Sequence, residues 1–130
     1  MKHSEGFLRL VDDAKSRIRE VTVGETQARL KQNTGAKLID VREDNEFAAA
    51  HATGATHLGK GIIERDIETD APDKDAELIL YCGGGYRSAL VADVLQKMGY
   101  TNVWSMAGGW RAWNEAGGDI EKGNPQITQK

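Results

Sequence analysis

Apolar and polar positions follow one another along the chain in blocks whose period changes several times. Between residues 7 and 19, Leu8, Val11, Ala14 and Ile18 recur at helical spacing, which predicts an amphipathic helix. Residues 25–32 predict a second, shorter helix carrying Ala28 and Leu30, and Ile18 to Val23 between the two predicts a short edge strand. The pattern then becomes a set of unbroken apolar runs at 37–41 (KLIDV), 77–81 (ELILY) and 102–106 (NVWSM). Each is too short for a helix and predicts a strand buried on both faces. Between the last two, Ala89, Leu90, Val94 and Leu95 return to helical spacing until Gly99 stops the helix. A strand, a helix and a strand in that order favour a right-handed crossover joining parallel neighbours. GGWRAWNEAGG (108–118) predicts a last short helix, and NPQITQK (124–130) a frayed end. The implied architecture is α/β, a parallel sheet with helices on both faces.

Length changes this picture little. A chain of 130 residues makes one domain and buries roughly two-thirds of its unfolded surface, enough for a core without metal or disulfide staples. Residues 1–20 read as an N-terminal helix belonging to the domain, 21–118 as the domain proper and 119–130 as a C-terminal tail. RDIETDAPDKDAE (65–77) is the most charged stretch and reads as a solvated connection before a strand. A net charge of −3 with both signs interspersed offers no basic stripe for a phosphate backbone, so nucleic acid is not an expected partner. No run reaches membrane-spanning length, and Asp12, Asp13 and Lys15 interrupt the apolar patch near the N-terminus that a signal peptide would need unbroken. With one cysteine there is no internal disulfide, and a free thiol fits a reducing compartment, the cytoplasm most simply.

The chemistry gathers at strand ends, where ligands collect in parallel sheets. LIDVRE ends a strand on Asp40 and Arg42, and LILYC ends one on Cys82. Cys82 runs into Gly83, Gly84 and Gly85, after which Tyr86, Arg87 and Ser88 open a helix. Glycines permit the backbone angles at which successive N–H groups turn inward to form an anion cradle. The helix N-terminus adds partial positive charge and Arg87 a full one, surroundings in which a thiol ionises readily and becomes a nucleophile. A lone cysteine at a strand end is more often an inert core residue, but a packed core gains nothing from three glycines.

Three segments in order resemble the single-domain rhodaneses, thiosulfate-type sulfurtransferases: LIDVREDNEFAAAHATGATHL, YCGGGYRSALVADVLQKMGY and NVWSMAGGWRAW. The resemblance covers about residues 21–118. It implies a rhodanese-like three-layer domain with a mainly parallel five-stranded sheet, and a persulfide carried on Cys82. The cradle would be Gly83, Gly84, Gly85, Tyr86, Arg87 and Ser88, with Asp40 and Arg42 bracing the loop and Glu46 as their ion-pair partner. Arg87 would bind the donor's sulfonate or hold the loop in shape. The donor would be a small sulfur-containing anion such as thiosulfate, and the acceptor cyanide or a thiol, a redox protein's thiol included. No cofactor or metal is implied. From Cys82 to Arg87 the loop has six residues, as in sulfurtransferases, whereas the related cell-cycle phosphatases and arsenate reductases use one more. His57 and Ala50 depart from the family's common asparagine and glycine. A noncatalytic rhodanese-like binding module is the other class to weigh, although such modules usually lack the cysteine.

Other candidates fall away. His51 and His57 with Cys82 match no zinc spacing, and a Cys-His protease has no use for an arginine-bearing cradle. GATHLGKG nearly matches a phosphate-binding loop but has Gly61 where a hydroxyl is required. Trp104, Trp110 and Trp113 read as helix-on-sheet packing. Lys60 and Arg65 are expected near the mouth of the site, opposed by Glu64, Asp66 and Glu68.

Overall fold

In a computed structural model, which describes residues 2–33 and 35–123, the polypeptide forms six helices and seven strands among the described residues. They run α1 (Glu5–Lys15), β1 (Arg19–Val21), α2 (Val23–Gln32), β2 (Lys37–Asp40), α3 (Asp44–Ala49), β3 (His51–Ala52), β4 (Thr56–His57), α4 (Ile63–Asp70), β5 (Leu78–Tyr81), α5 (Tyr86–Lys97), β6 (Val103–Met106), α6 (Gly109–Glu115) and β7 (Ile120–Glu121). Five strands make a parallel sheet in the order β1-β6-β5-β2-β4, and β3 pairs with β7 in a separate antiparallel ladder. The expected edge strand is β1, which lies beside β6.

Side chains of β5 alternate between two cores. Leu78, Leu80 and Cys82 face α4 and α5, together with Ile39, Ile63, Ile67, Val91 and Leu95. Ile79 and Tyr81 face the other way, with Leu38, Val23, Met106 and Trp113. The unbroken apolar runs in the sequence are the mark of this two-sided burial. Trp113 is buried, while Trp104 and Trp110 pack against the same core at its margin. Helix α2 begins with a reciprocal cap: Thr22 Oγ1 accepts from Glu25 N–H at 3.1 Å and Glu25 Oε1 accepts from Thr22 N–H at 2.9 Å. Helix α5 ends where Gly99 turns left-handed at φ +101° and Tyr100 N–H returns to Leu95 O. No helix among the described residues is long and apolar enough to cross a membrane.

Several expectations need correction. The α2 stripe is Val23 and Thr26, with Ala28 exposed and Leu30 only partly covered, because the helix starts two residues earlier than its apolar spacing suggested. Leu8 is exposed, and α1 holds to the domain through Val11 and Ala14. The charged stretch 65–77 is no mere connection. Its first half belongs to α4, whose Ile63 and Ile67 are fully buried; two isoleucines four apart were masked by the acids around them. Residues 119–121 are not loose either, since β7 pairs with β3, Asp119 O accepts from Trp113 Nε1 at 2.9 Å, and His51 Nε2 lies 3.1 Å from Glu121 Oε1. The segment 124–130 lies outside the described residues.

Burial of Ile67 makes α4 part of the core. Ile67→Ala is expected to cost about 3 kcal/mol of stability, read from urea denaturation, where a solvated connection would lose less than about 0.5 kcal/mol.

Candidate active site

Strand β5 delivers Cys82 to the carboxyl edge of the sheet, and the chain then turns through Gly83–Gly85 into α5. Two backbone N–H groups point at the sulfur: Gly85 donates to Cys82 Sγ at 3.2 Å and Ser88 at 3.3 Å. Ser88 Oγ lies 3.5 Å from Sγ and 2.8 Å from Ser105 Oγ, and both hydroxyls are buried. Cys82 itself is 1% exposed, yet it lines a pocket of about 880 Å³ together with Gly83, Gly84, Tyr86 and Arg87. The thiol is therefore covered by protein on all sides but one.

Of the three glycines only Gly85 has a left-handed backbone, at φ +98°. It also passes close to another segment, where an added Cβ would come within 3.3 Å of Gly108 N. The tightest approach is from outside the loop. Gly109, at φ +51°, packs so closely on the Cys82–Gly83 peptide that a Cβ there would collide with Cys82 O. The same contact lets Trp110 N–H donate to Cys82 O at 2.7 Å and Arg111 N–H to Gly83 O at 3.2 Å. The first turn of α6 thus takes up the loop carbonyls while the loop N–H groups turn toward the sulfur.

The charged residues sort into two pairs. Arg87 holds Glu46 through Nη1–Oε1 at 2.9 Å and Nη2–Oε2 at 3.3 Å. That contact keeps the Glu46 carboxyl below its ordinary value and raises the Arg87 guanidinium, the nearby Cys82 adding to the latter. Glu43 N–H also donates to Glu46 Oε1 at 3.0 Å, which fixes the carboxylate at the start of α3. Arg42 instead grips Asp40, Nη2 to Oδ2 at 2.8 Å, and donates to Ala50 O at 2.7 Å. Its guanidinium stacks 4.6 Å from the Trp110 ring. Glu46 is therefore the partner of Arg87 rather than of Arg42, because α3 carries it past the end of β2 to the opening of α5. Asp40 and Arg42 make no hydrogen bond to the loop. They join β2, the end of α3 and the Trp110 ring behind it.

Lys60 and Arg65 do not line the Cys82 pocket. Arg65 is paired with Asp66 at 2.7 Å on the surface of α4. Its mouth takes Lys2, His3, Ser4 and Phe7 from the N-terminal segment, and Arg111 and Glu115 from α6. None of these six was singled out by the sequence, nor was Ser105, a polar residue in an otherwise apolar strand. Arg111 had a weak signal in its place one residue beyond GGW. His51 and His57 flank Phe47 in a stack, with centroids 3.6 and 4.7 Å from it, and no group of three or more His, Cys, Asp or Glu among the described residues is placed to hold a metal.

A parallel α/β sheet with a cysteine at a strand end, an N–H-lined turn and a helix start places the chain in a class of α/β domains built around a strand–loop–helix site. Within that class the chain belongs to the rhodanese-like domain family, whose pattern matches residues 22–116. The thiosulfate sulfurtransferase GlpE of Pseudomonas entomophila (strain L48) is 34% identical over 101 residues, covering 77% of this chain and 91% of that one. The chain thus sits among sulfurtransferases by sequence. A Rhodopseudomonas palustris structure, described as a protein of unknown function and possible tyrosine phosphatase, superposes with a TM-score of 0.79 at 30% identity, covering 93% of this chain and 98% of that one. The polysulfide-sulfur transferase homodimer of Wolinella succinogenes shares the fold, with a TM-score of 0.78 at 22% identity, covering 96% and 93%.

Two outcomes follow from this geometry. Gly109→Ala is expected to destabilise the fold by more than about 1 kcal/mol, the usual scale for a non-glycine forced left-handed, because a backbone clash adds to that strain. Calorimetric melting of the variant checks this. The Arg87–Glu46 pair contributes stability that is complete above the ordinary carboxylate value of 4.5 and lost as pH falls below it through the depressed folded value. The stability difference between wild type and Glu46→Gln should accordingly shrink on acidification from about pH 6, followed by urea denaturation across that range.

Proposed function

We propose that the protein is a persulfide-forming sulfurtransferase with Cys82 as its nucleophile. The observation that carries this reading is the pair of N–H groups from Gly85 and Ser88 aimed at Cys82 Sγ on the floor of a pocket. The Cys82 thiolate attacks the outer sulfur of thiosulfate, the sulfur–sulfur bond of the donor breaks, and its electron pair leaves with sulfite. The terminal sulfur then carries the negative charge as Cys82–S–S⁻. Gly83, Gly84, Tyr86 and Arg87 line the same pocket, and their amides are the groups we assign to the outer sulfur as it protrudes, while Gly85 and Ser88 hold Sγ. Cyanide or a thiol removes the outer sulfur and returns Cys82 to the thiolate, a two-step exchange with ping-pong kinetics.

The hydroxyls of Ser105 and Ser88 give the inner sulfur a directional chain. Ser105 donates to Ser88 and Ser88 to Sγ whenever sulfur bears the charge, because a thiolate is an acceptor only. Arg87 holds the loop in shape: its guanidinium is engaged by Glu46, which leaves less of its charge for a donor's sulfonate. The free thiol must stay reduced between turnovers, which suits a reducing compartment such as the cytoplasm. With one cysteine in the chain the persulfide is discharged by an external acceptor.

A phosphatase reading has the Rhodopseudomonas palustris relative in its favour. Against it stands the loop of six residues from Cys82 to Arg87, tighter than the ring a tetrahedral phosphate needs, with its arginine turned to a glutamate. A noncatalytic module would need neither the thiol nor the amides directed at it.

Incubation with thiosulfate should add one sulfur, about 32 Da, to the intact protein as the covalent intermediate, and Cys82→Ser should carry none. Thiocyanate should form from thiosulfate and cyanide, with no hydrolysis of p-nitrophenyl phosphate. A wild type that stays at its original mass refutes the assignment.

A further inference from the structure

The Cys82 pocket, at about 880 Å³, has the size of an organic ligand's site and far exceeds what thiosulfate or cyanide would fill. One wall is aromatic. His3 meets Tyr86 edge-on with centroids 4.7 Å apart, and Phe7 lies 6.2 Å from the same ring. His3 and Phe7 precede residue 22, where the family match begins, so this wall joins residues ahead of the family-matching span to Tyr86 within it. Another wall is polar and comes from α6, through Arg111 and Glu115.

Charge at the mouth is equally specific. Arg87 and Glu46 hold each other, which leaves Lys2 and Arg111 against the carboxylate of Glu115. Arg111 is exposed and has no ion-pair partner among the described residues. Its backbone N–H is tied to Gly83 O at 3.2 Å, so the root of the side chain is fixed relative to Cys82. A guanidinium presents a planar fork that matches a carboxylate at two points, which an ammonium such as Lys2 does not.

We propose that the sulfur acceptor of this pocket is an organic thiol bearing a carboxylate, bound by Arg111, with its carbon skeleton against His3, Phe7 and Tyr86. The proposal rests on the persulfide reading above. In the transfer the acceptor's thiolate attacks the outer sulfur of the Cys82 persulfide. The bond from that sulfur to Sγ breaks, its electron pair stays on Sγ as the thiolate, and the acceptor departs as an organic persulfide anion. Atoms and charge balance, and no oxidant or reductant is consumed. Arg111 takes no part in the bond changes; it selects the substrate.

The test uses protein loaded with one sulfur from thiosulfate, verified by mass, and then mixed with 3-mercaptopropionate or its uncharged isostere 3-mercaptopropionamide. The readout is the ratio of the two second-order discharge rates. Arg111→Gln should lower that ratio about fivefold, the scale of an exposed charge pair worth ~1 kcal/mol. Arg111→Glu should lower it further and Arg111→Lys restore part of it, and added salt should weaken the preference in the wild type. Phe7→Ala should slow both thiols by a similar factor. An Arg111→Gln protein that loads sulfur yet keeps its ratio within about 1.4-fold, the smallest effect expected of a working charge pair, overturns the acceptor assignment alone. A wild type that never loads sulfur removes the persulfide reading and this proposal with it.

Discussion

Everything at this site depends on where the carbonyl groups of the Cys82 loop go. A turn that aims its N–H groups at one sulfur must point carbonyls away from it, and buried carbonyls need donors. Trp110 and Arg111 N–H supply them to Cys82 and Gly83. They do so because Gly109 has no side chain to hold the two backbones apart. The loop is therefore only half of the device, the other half lying more than twenty residues downstream in the first turn of α6. Helix α6 is in turn held by burial of Trp113 among Ile79, Tyr81 and Met106, and by Ala107 N–H on Val21 O at 2.8 Å. A core on one face of the sheet fixes the helix, the helix fixes the loop carbonyls, and the loop then faces its amides to the thiol.

The charges are arranged so that little of this rests on them. Two of the arginines near the site are committed, Arg42 to Asp40 and Arg87 to Glu46. A buried pair such as Arg42–Asp40 is weak evidence for stability in itself, since desolvation offsets much of the attraction. What it supplies is position: Arg42 ties the end of β2 to Ala50 O and lies against the Trp110 ring, beside the residue whose N–H holds Cys82 O. In the proposed reaction, stabilisation of the sulfur falls to neutral dipoles, the Gly85 and Ser88 N–H groups, which are already aimed at Sγ.

The sheet was legible because strands buried on both faces leave unbroken apolar runs, and the thiol was legible because three glycines between a strand and a helix have few structural uses. What the sequence concealed has a common cause. Gly109, Arg111 and Ser105 matter through contacts with residues far from them in sequence, and no periodicity records such contacts. Helix α4 was hidden differently: two isoleucines were enough to anchor it, yet its composition is that of a solvated segment. Glu46 was recognised as an ion-pair partner but given to the wrong arginine, because the capped start of α3 turns it toward α5 rather than back along β2. Of the glycine run, only Gly85 requires left-handed geometry; Gly83 and Gly84 line the pocket, and a Cβ on Gly83 would press on the Arg87 guanidinium at 3.2 Å.

A division of labour follows from which parts of the chain build which wall. The floor, comprising Cys82, the amides of Gly85 and Ser88 and the serine pair, lies within the family-matching span, and in the proposed reaction it deals only with sulfur. It has no contact that could distinguish one sulfur carrier from another, because a sulfur atom carries no shape. Discrimination must come from groups that reach the rest of the molecule bearing that sulfur. Those are the rim residues: His3 just before α1 and Phe7 within it, both ahead of the family-matching span, and Arg111 from the α6 turn that also braces the loop. Because Arg111 shares its backbone with that brace, a ligand held by its side chain, as proposed, would be registered directly against Cys82. On the proposed reading, substitution of rim side chains would change the preferred carrier without any change to the geometry around Sγ.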